Sequence, residues 1–218
     1  RSSSAASDVY KRQLLYIAII ITGIIAGWGL SKIFSSNNTS NQIDSAFSLI
    51  DSNGKNLTNS DLRGKSKVIF FGFTYCPDVC PISTELMSAS INNIVSKNLN
   101  IDDIAFLFIT TDPKRDTPRR MARYLSDYNP KIIGLTGKHS DLKKVWKNFF
   151  VHVLPANEVT AVDHAMDHSS EGEDHSGENY MVEHTAFYYL FNNKDELSAI
   201  LPFGTSEEIL LTEIKKIL

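Results

Sequence analysis

Cysteine is scarce in this chain, with two in 218 residues. A scaffold held by disulfides needs more, and a domain of this size builds a hydrophobic core without staples. Cys76 and Cys80 are therefore read as functional rather than structural. An excess of positive charge is also missing. The 22 Lys and Arg stand against 25 Asp and Glu, for a formal net charge of −3. That balance carries no electrostatic footprint for nucleic acid. Long apolar runs are absent too, with one exception, so a bundle of membrane spans is excluded. The remaining roughly 180 residues suit one domain with a full core.

The exception is Leu14–Leu30, LLYIAIIITGIIAGWGL, seventeen residues without a charge. It reaches the short end of a membrane span. Trp28 lies near one end, where aromatic side chains favour the interface. The competing reading is a cleaved signal peptide, but the run is long for that and no clear small-x-small site follows. Residues 14–34 are expected to form a single uncleaved transmembrane helix, and residues 35–44 a polar linker containing SSNNTSNQ. Residues 1–13, RSSSAASDVYKRQ, begin with Arg1 rather than Met and fit nothing that follows. They are read as a non-native leader and set aside.

From residue 45 the chain reads as one unit. Ala46–Ile50 is a strand followed by a turn, Asp51-Ser52-Asn53-Gly54-Lys55. Lys67–Phe73 and Ile104–Thr110 are continuous apolar runs, the pattern of central strands buried on both faces. A helix is expected from about Pro81 to Lys97. A second runs from Pro118 to Ser126, capped by Thr117 with Pro118 at its first position. Ile132–Leu135 is a short strand, Asp141–Phe149 a helix and Thr185–Phe191 a strand. Leu197–Ile200 pairs with that strand across Asn192-Asn193-Lys194-Asp195, and Ser206–Leu218 closes the chain as a helix. Strands alternate with helices and a hairpin comes last. That order gives an α/β domain with a mixed sheet, similar in outline to thioredoxin.

Cys76 and Cys80 fall where the first buried strand ends and a helix begins. If the helix has started by Cys76, the i, i+4 spacing puts both sulfurs on one face. The positive end of the helix favours thiolates. Pro77 and Pro81 constrain the loop, and a helix start tolerates their missing N–H groups. Two neighbouring thiolates suit Cu(I) or Zn(II). They also close into a disulfide if the backbone brings them together. The pair alone does not choose between these.

Phe73-Thr74-Tyr75-Cys76-Pro77-Asp78-Val79-Cys80-Pro81 resembles the signature of the Sco/SenC family, copper-handling assembly factors of cytochrome c oxidase. Thr111-Asp112-Pro113-Lys114-Arg115-Asp116-Thr117-Pro118 resembles that family's second motif. Glu183-His184-Thr185, opening a strand, resembles its third. The resemblance extends over nearly the whole chain from Leu14. It implies a thioredoxin-like domain behind a single anchor, facing the periplasm or the intermembrane space. It also implies copper bound by Cys76, Cys80 and His184. Two thiolates and an imidazole give Cu(I) a trigonal site and hold Cu(II) with a weaker fourth ligand. Without the motif, His184 alone reads as a packed histidine.

Asp112 follows the second buried strand. It is read either as a tuning partner of the site or as a loop-forming Asp before Pro113. Arg115 and Asp116 are expected to fix the loop by local pairing. Phe70, Phe71, Phe73 and Tyr75 are expected to be core and rim residues. Residues 158–183 hold eight acidic residues, no Lys or Arg, and His164, Met166, His168 and His175. This stretch departs from the family pattern, where it is usually shorter. Its composition fits a mobile loop. The histidines and Met166 are read as an auxiliary copper-capture patch, against a solvated acidic loop with incidental histidines.

The leading expectation is a membrane-anchored copper metallochaperone, with copper as Cu(I) and Cu(II), serving the CuA site of cytochrome c oxidase subunit II. Other copper chaperones are expected partners. The expected location is the bacterial inner membrane with the domain in the periplasm, or the mitochondrial inner membrane facing the intermembrane space in a eukaryote. The alternative is a thiol–disulfide reductase that keeps the acceptor cysteines reduced through Cys76 and Cys80. A closed zinc site would want a fourth protein ligand, and no cysteine sits in a recognisable peroxidatic motif.

Overall fold

The computed structural model describes residues 19–24, 43, 45–155 and 180–218. The chain divides into two units, Arg1–Gln42 and Ile43–Leu218. In the first, residues 19–24 are helical, and Ile19, Ile20, Ile21 and Ile24 are exposed. No helix among the described residues is long and apolar enough to cross a membrane. The rest of the expected anchor, the expected leader, and His164, Met166, His168 and His175 lie outside the described residues.

The second unit is built on a seven-stranded sheet. Its strands are β1 (Ser48–Asp51), β2 (Asn56–Thr58), β3 (Ser66–Gly72), β4 (Ile104–Thr110), β5 (Ile132–Thr136), β8 (Phe187–Phe191) and β9 (Leu197–Pro202), in the order β2-β1-β5-β4-β3-β8-β9. Two further strands, β6 (Val153–Pro155) and β7 (Val182–His184), form a separate antiparallel ribbon. β3, β4 and β5 run parallel, while β1, β8 and β9 join antiparallel. The expected mixed α/β sheet is therefore what the chain forms. Among the described residues, four helices flank it: α1 (Val79–Ser96), α2 (Pro118–Leu125), α3 (His139–Asn148) and α4 (Glu207–Ile217).

The apolar runs explain the central position of β3 and β4, since every residue of each is buried. Alternation sends Val68 and Phe70 to one face, against Met87 and Ile91 of α1 and Leu210 of α4. Ile69 and Phe71 go to the other face, against Leu142 and Phe149 around α3. Lys67 in the same run is also fully buried, and its ammonium pairs with Asp195 in the β8–β9 turn.

The third motif lies elsewhere than expected. His184 does not open the strand expected at Thr185–Phe191. It ends β7, paired with Val153 of β6, and the sheet strand begins only at Phe187. His152 and Thr185 hold the exit between them. The Thr185 N–H donates to the His152 carbonyl, and the His152 N–H donates to the Thr185 hydroxyl, both at 3.1 Å. The expected mobile stretch to residue 183 therefore ends in ordered strand.

Candidate metal centre

The chain leaves β3 at Gly72 and turns through Phe73, Thr74 and Tyr75 before reaching Cys76, whose N–H donates to the Phe73 carbonyl at 3.2 Å. α1 begins at Val79 with Asp78 as its cap residue, and the Asp78 side chain makes no cap bond. Cys76 therefore lies before the helix, and the two sulfurs do not share a helical face as i, i+4 neighbours. The Cys76 sulfur instead accepts the Cys80 backbone N–H at 3.4 Å. That N–H belongs to the first turn, where helix donors lack internal partners. Pro81, in the same turn, has no such N–H to satisfy.

Gly72 makes room for Cys80. A Cβ built at Gly72 would stand 2.9 Å from the Cys80 sulfur, and equally close to the Phe70 and Phe108 rings. Cys80 is fully buried and Cys76 half-buried, and both are free thiols. The hydrogen bond from the Cys80 thiol is the main cause that lowers Cys76 to about 4, against desolvation, with a further contribution from His184. Cys80 is pushed up by the same bond, by burial and by the neighbouring thiolate. The pair thus shares one proton, with the charge on Cys76.

His184 reaches the pair from the ribbon. Its Nε2 lies 3.7 Å from the Cys80 sulfur, and its Nδ1 lies 3.0 Å from the Thr185 carbonyl oxygen. A carbonyl only accepts, so the Nδ1–H donates to it, and Nε2 is the nitrogen that faces the thiols. The Phe73 ring meets the imidazole edge-on at 5.7 Å and 82°. A cavity of about 650 Å³, lined by Phe73, Cys76, Pro77, Val79, Met181 and His184 among others, opens beside these groups.

The donor set fits a soft metal. With bonds of about 2.3 Å to sulfur and 2.0 Å to nitrogen, as zinc makes, a sulfur and a nitrogen sharing a trigonal metal stand about 3.7 Å apart. Among the described residues, no three His, Cys, Asp or Glu side chains stand grouped so that they could hold a metal ion without moving.

Asp112 does not reach the thiols. It is buried at 4% exposure. One carboxylate oxygen accepts the Tyr180 hydroxyl at 2.7 Å, and the other pairs with Arg115 Nε. Arg115 makes the local pairing expected of it, but Asp116 does not. Asp116 is fully buried and accepts the Thr74 N–H at 3.1 Å and the Thr74 and Thr110 hydroxyls at 2.6 Å. Arg120 Nε completes the chain by donating to the Thr74 hydroxyl at 2.9 Å. Asp116 therefore ties the end of β4 to the loop that presents Cys76. Phe70, Phe71 and Phe73 are core, and Tyr75 is rim at 46% exposure, as expected.

Sequence reasoning missed Gly72, Asp116 and Tyr180. A glycine inside a buried strand run signals close approach of another group, so Gly72 was findable. Nothing local marks Tyr180.

The SCO1/SenC family model matches residues 35–218. The chain belongs to the SCO1/SenC family. Protein sco1 of Schizosaccharomyces pombe is 36% identical over 174 residues, covering 79% of this chain and 60% of that protein. The chain thus spans less than two thirds of that relative's length. Among solved structures, Bradyrhizobium japonicum ScoI with copper bound is 31% identical with a TM-score of 0.65, covering 81% of this chain and 99% of that one. Yeast Sco1 with copper bound is 30% identical at a TM-score of 0.65, covering 80% and 87%.

Proposed function

We propose that this SCO1/SenC chain binds copper through Cys76, Cys80 and His184 and delivers it to the CuA site of cytochrome c oxidase subunit II during oxidase assembly. The observation that carries the reading is the approach of His184 Nε2 to the buried Cys80 sulfur, at 3.7 Å. The copper-bound states of the ScoI and Sco1 neighbours support it.

Each residue has a distinct task. Cys76 offers a thiolate without prior loss of a proton, because Cys80 and the helix start hold its charge. Cys80 releases its proton when copper, as Cu(I) or Cu(II), takes that place. His184 supplies Nε2, its Nδ1 being engaged with the Thr185 carbonyl. Three ligands leave one side free for an acceptor thiol or imidazole, and the half-exposed Cys76 and the cavity lie on the route of exchange. Asp112 acts through the Arg115 and Tyr180 contacts rather than on the metal. Residues 14–34 anchor the chain in the bacterial inner membrane with the domain in the periplasm, or in the mitochondrial inner membrane facing the intermembrane space. His164, Met166, His168 and His175 serve as an auxiliary capture patch for copper passed from other chaperones.

An anaerobic Cu(I) titration of the reduced protein against a competing chelator, beside His184→Ala, tests this. One-to-one binding that weakens strongly in the variant supports the site. Weak binding indifferent to His184 moves the function to thiol chemistry.

One observation favours that second role. A half-buried thiolate stands next to a buried thiol. In a reductase, Cys76 attacks a disulfide in the acceptor and releases one acceptor thiolate, which takes a proton. Cys80 then loses its proton and displaces the second thiolate, leaving the Cys76–Cys80 pair oxidised and the acceptor reduced by two electrons.

A further inference from the structure

The ribbon that carries His184 is weakly built. β6 and β7 pair over three residues each, Val153 with His184, Leu154 with Glu183 and Pro155 with Val182, and Pro155 has no N–H to give. A two-stranded ribbon of this length does not hold itself. At the exit, Thr185 and His152 tie it. At the entry, four residues before His184, stands Tyr180.

Tyr180 is gripped in two ways. Its hydroxyl donates to Asp112 at 2.7 Å, and its ring lies 3.7 Å beneath the Arg115 guanidinium. Arg115 is itself fixed by its ion pair with Asp112. The same guanidinium lies 4.8 Å from the Tyr75 ring and 5.7 Å from the Phe73 ring. Tyr75 immediately precedes Cys76, and Phe73 meets the His184 imidazole. Arg115 is thus the plate between the side that carries the cysteines and the side that carries the histidine. Burial and Asp112 push the Tyr180 phenol up to about 12, so it remains a donor at working pH.

We propose that Tyr180 is a positioning residue for His184. Its phenol, bonded to Asp112 and stacked on Arg115, fixes the open end of the ribbon so that the imidazole faces Cys80. The proposal rests on the reading of His184 as a copper ligand. It assigns Asp112 and Arg115 the task of holding Tyr180.

Tyr180→Phe removes the hydrogen bond and keeps the ring stack, whereas Tyr180→Ala removes both. In the reduced full chain, Tyr180→Phe is expected to lower Cu(I) affinity about tenfold, as outer partners of metal ligands do, and Tyr180→Ala more. The His184 ring resonances of the metal-free protein are expected to shift or broaden in both. In a His184→Ala background, Tyr180→Phe is expected to have no further effect, because the residue it positions is gone. Wild-type affinity and unmoved His184 resonances in Tyr180→Phe would overturn the proposal. So would an undiminished Tyr180→Phe effect in the His184→Ala background, which marks a general structural role. If His184→Ala alone leaves Cu(I) affinity unchanged, the ligand reading falls and takes this proposal with it. Should Tyr180→Ala unfold the domain, the Tyr180→Phe and His184→Ala cycle decides alone.

Discussion

His184 Nε2 stands 3.7 Å from the Cys80 sulfur across 104 residues of chain. The long-range contact chooses the partner, and a local one prepares the nitrogen. The Nδ1–H donates to the Thr185 carbonyl, which leaves Nε2 facing the sulfur that a metal would share. A thiol pair alone serves either redox chemistry or a soft metal. A histidine nitrogen held against it adds a third metal donor, which a disulfide exchange does not need.

The two cysteines differ in reactivity. Cys76 is lowered to about 4, first by the Cys80 thiol and further by His184 and the backbone of Asp78 and Cys80, so it is a thiolate at every pH above that value. Cys80 is pushed the other way and is buried. In the reduced, metal-free protein, the rate of Cys76 alkylation by iodoacetamide should stay flat from about pH 8 to about pH 5 and fall only below, whereas an ordinary thiol loses rate already below about pH 8.5. Cys80→Ala removes the main cause, so the inflection should move upward. Mass spectrometry of quenched samples reads both. An inflection that stays put in the variant would assign the lowering to the helix start and His184 instead.

Gly72 should be intolerant of any side chain. An added methyl meets the Cys80 sulfur and the Phe70 and Phe108 rings at 2.9 Å, all of them in the core. Gly72→Ala should therefore destabilise the fold by about 1–3 kcal/mol and displace the Cys80 sulfur. Cu(I) affinity should fall more than that of Ala105→Gly, a change in β4 on the opposite face of the sheet. Chemical denaturation and a chelator competition measure the two effects separately.

Much of this was legible in the chain. Two buried apolar runs gave β3 and β4, and the order of elements gave the mixed sheet, because burial on both faces leaves a pattern that composition alone carries. Cys76 and Cys80 came from the first motif and His184 from the third, rather than from any local rule. The ribbon was not legible. β7 holds three residues and follows an acidic stretch, and its partner β6 contains a proline, so neither has the length or alternation of a strand signal. Asp116 looked like a loop residue because nothing in Lys114-Arg115-Asp116 shows that its carboxylate reaches Thr74, 42 residues earlier. Lys67 opens the apolar run Lys67–Phe73, where nothing local shows that its ammonium is paired. Its partner Asp195 lies 128 residues on, in a turn.

That ion pair yields a sharp contrast. Lys67 is 0% exposed and Asp195 answers its charge from the β8–β9 turn, where Asn59 also donates to the Asp195 carboxylate at 3.3 Å. Asp195→Ala leaves a buried ammonium without a counter-charge and should cost about 3–5 kcal/mol. Lys67→Met, which removes the charge and keeps the bulk, should cost much less. Equal losses in urea titrations of the two variants would mean that packing of the lysine stem, and not its charge, dominates.

Asp116 makes stability depend on pH in a definite direction. Burial raises its pKa, opposed by the hydrogen bonds from Thr110 and Thr74, with Asp112 adding to the rise. A carboxyl raised in the fold binds its proton more tightly folded than unfolded. Its contribution is therefore full below the ordinary carboxylate value of about 4 and is lost as pH rises through the folded value. Asp116→Asn does not titrate, so it should gain on the wild type as pH rises from about 4 toward neutrality. Asp116→Ala should lose about 2–4 kcal/mol near pH 4, because the Thr74 N–H and the Thr74 and Thr110 hydroxyls lose their acceptor in the interior, and this deficit should narrow as pH rises, since alanine does not titrate either. Urea midpoints of the three proteins across that pH range decide the matter. A gap between Asp116→Asn and wild type that holds constant would show that the hydrogen bonds cancel the effect of burial, leaving Asp116 an ionised carboxylate that binds the Cys76 loop to β4 at no electrostatic penalty.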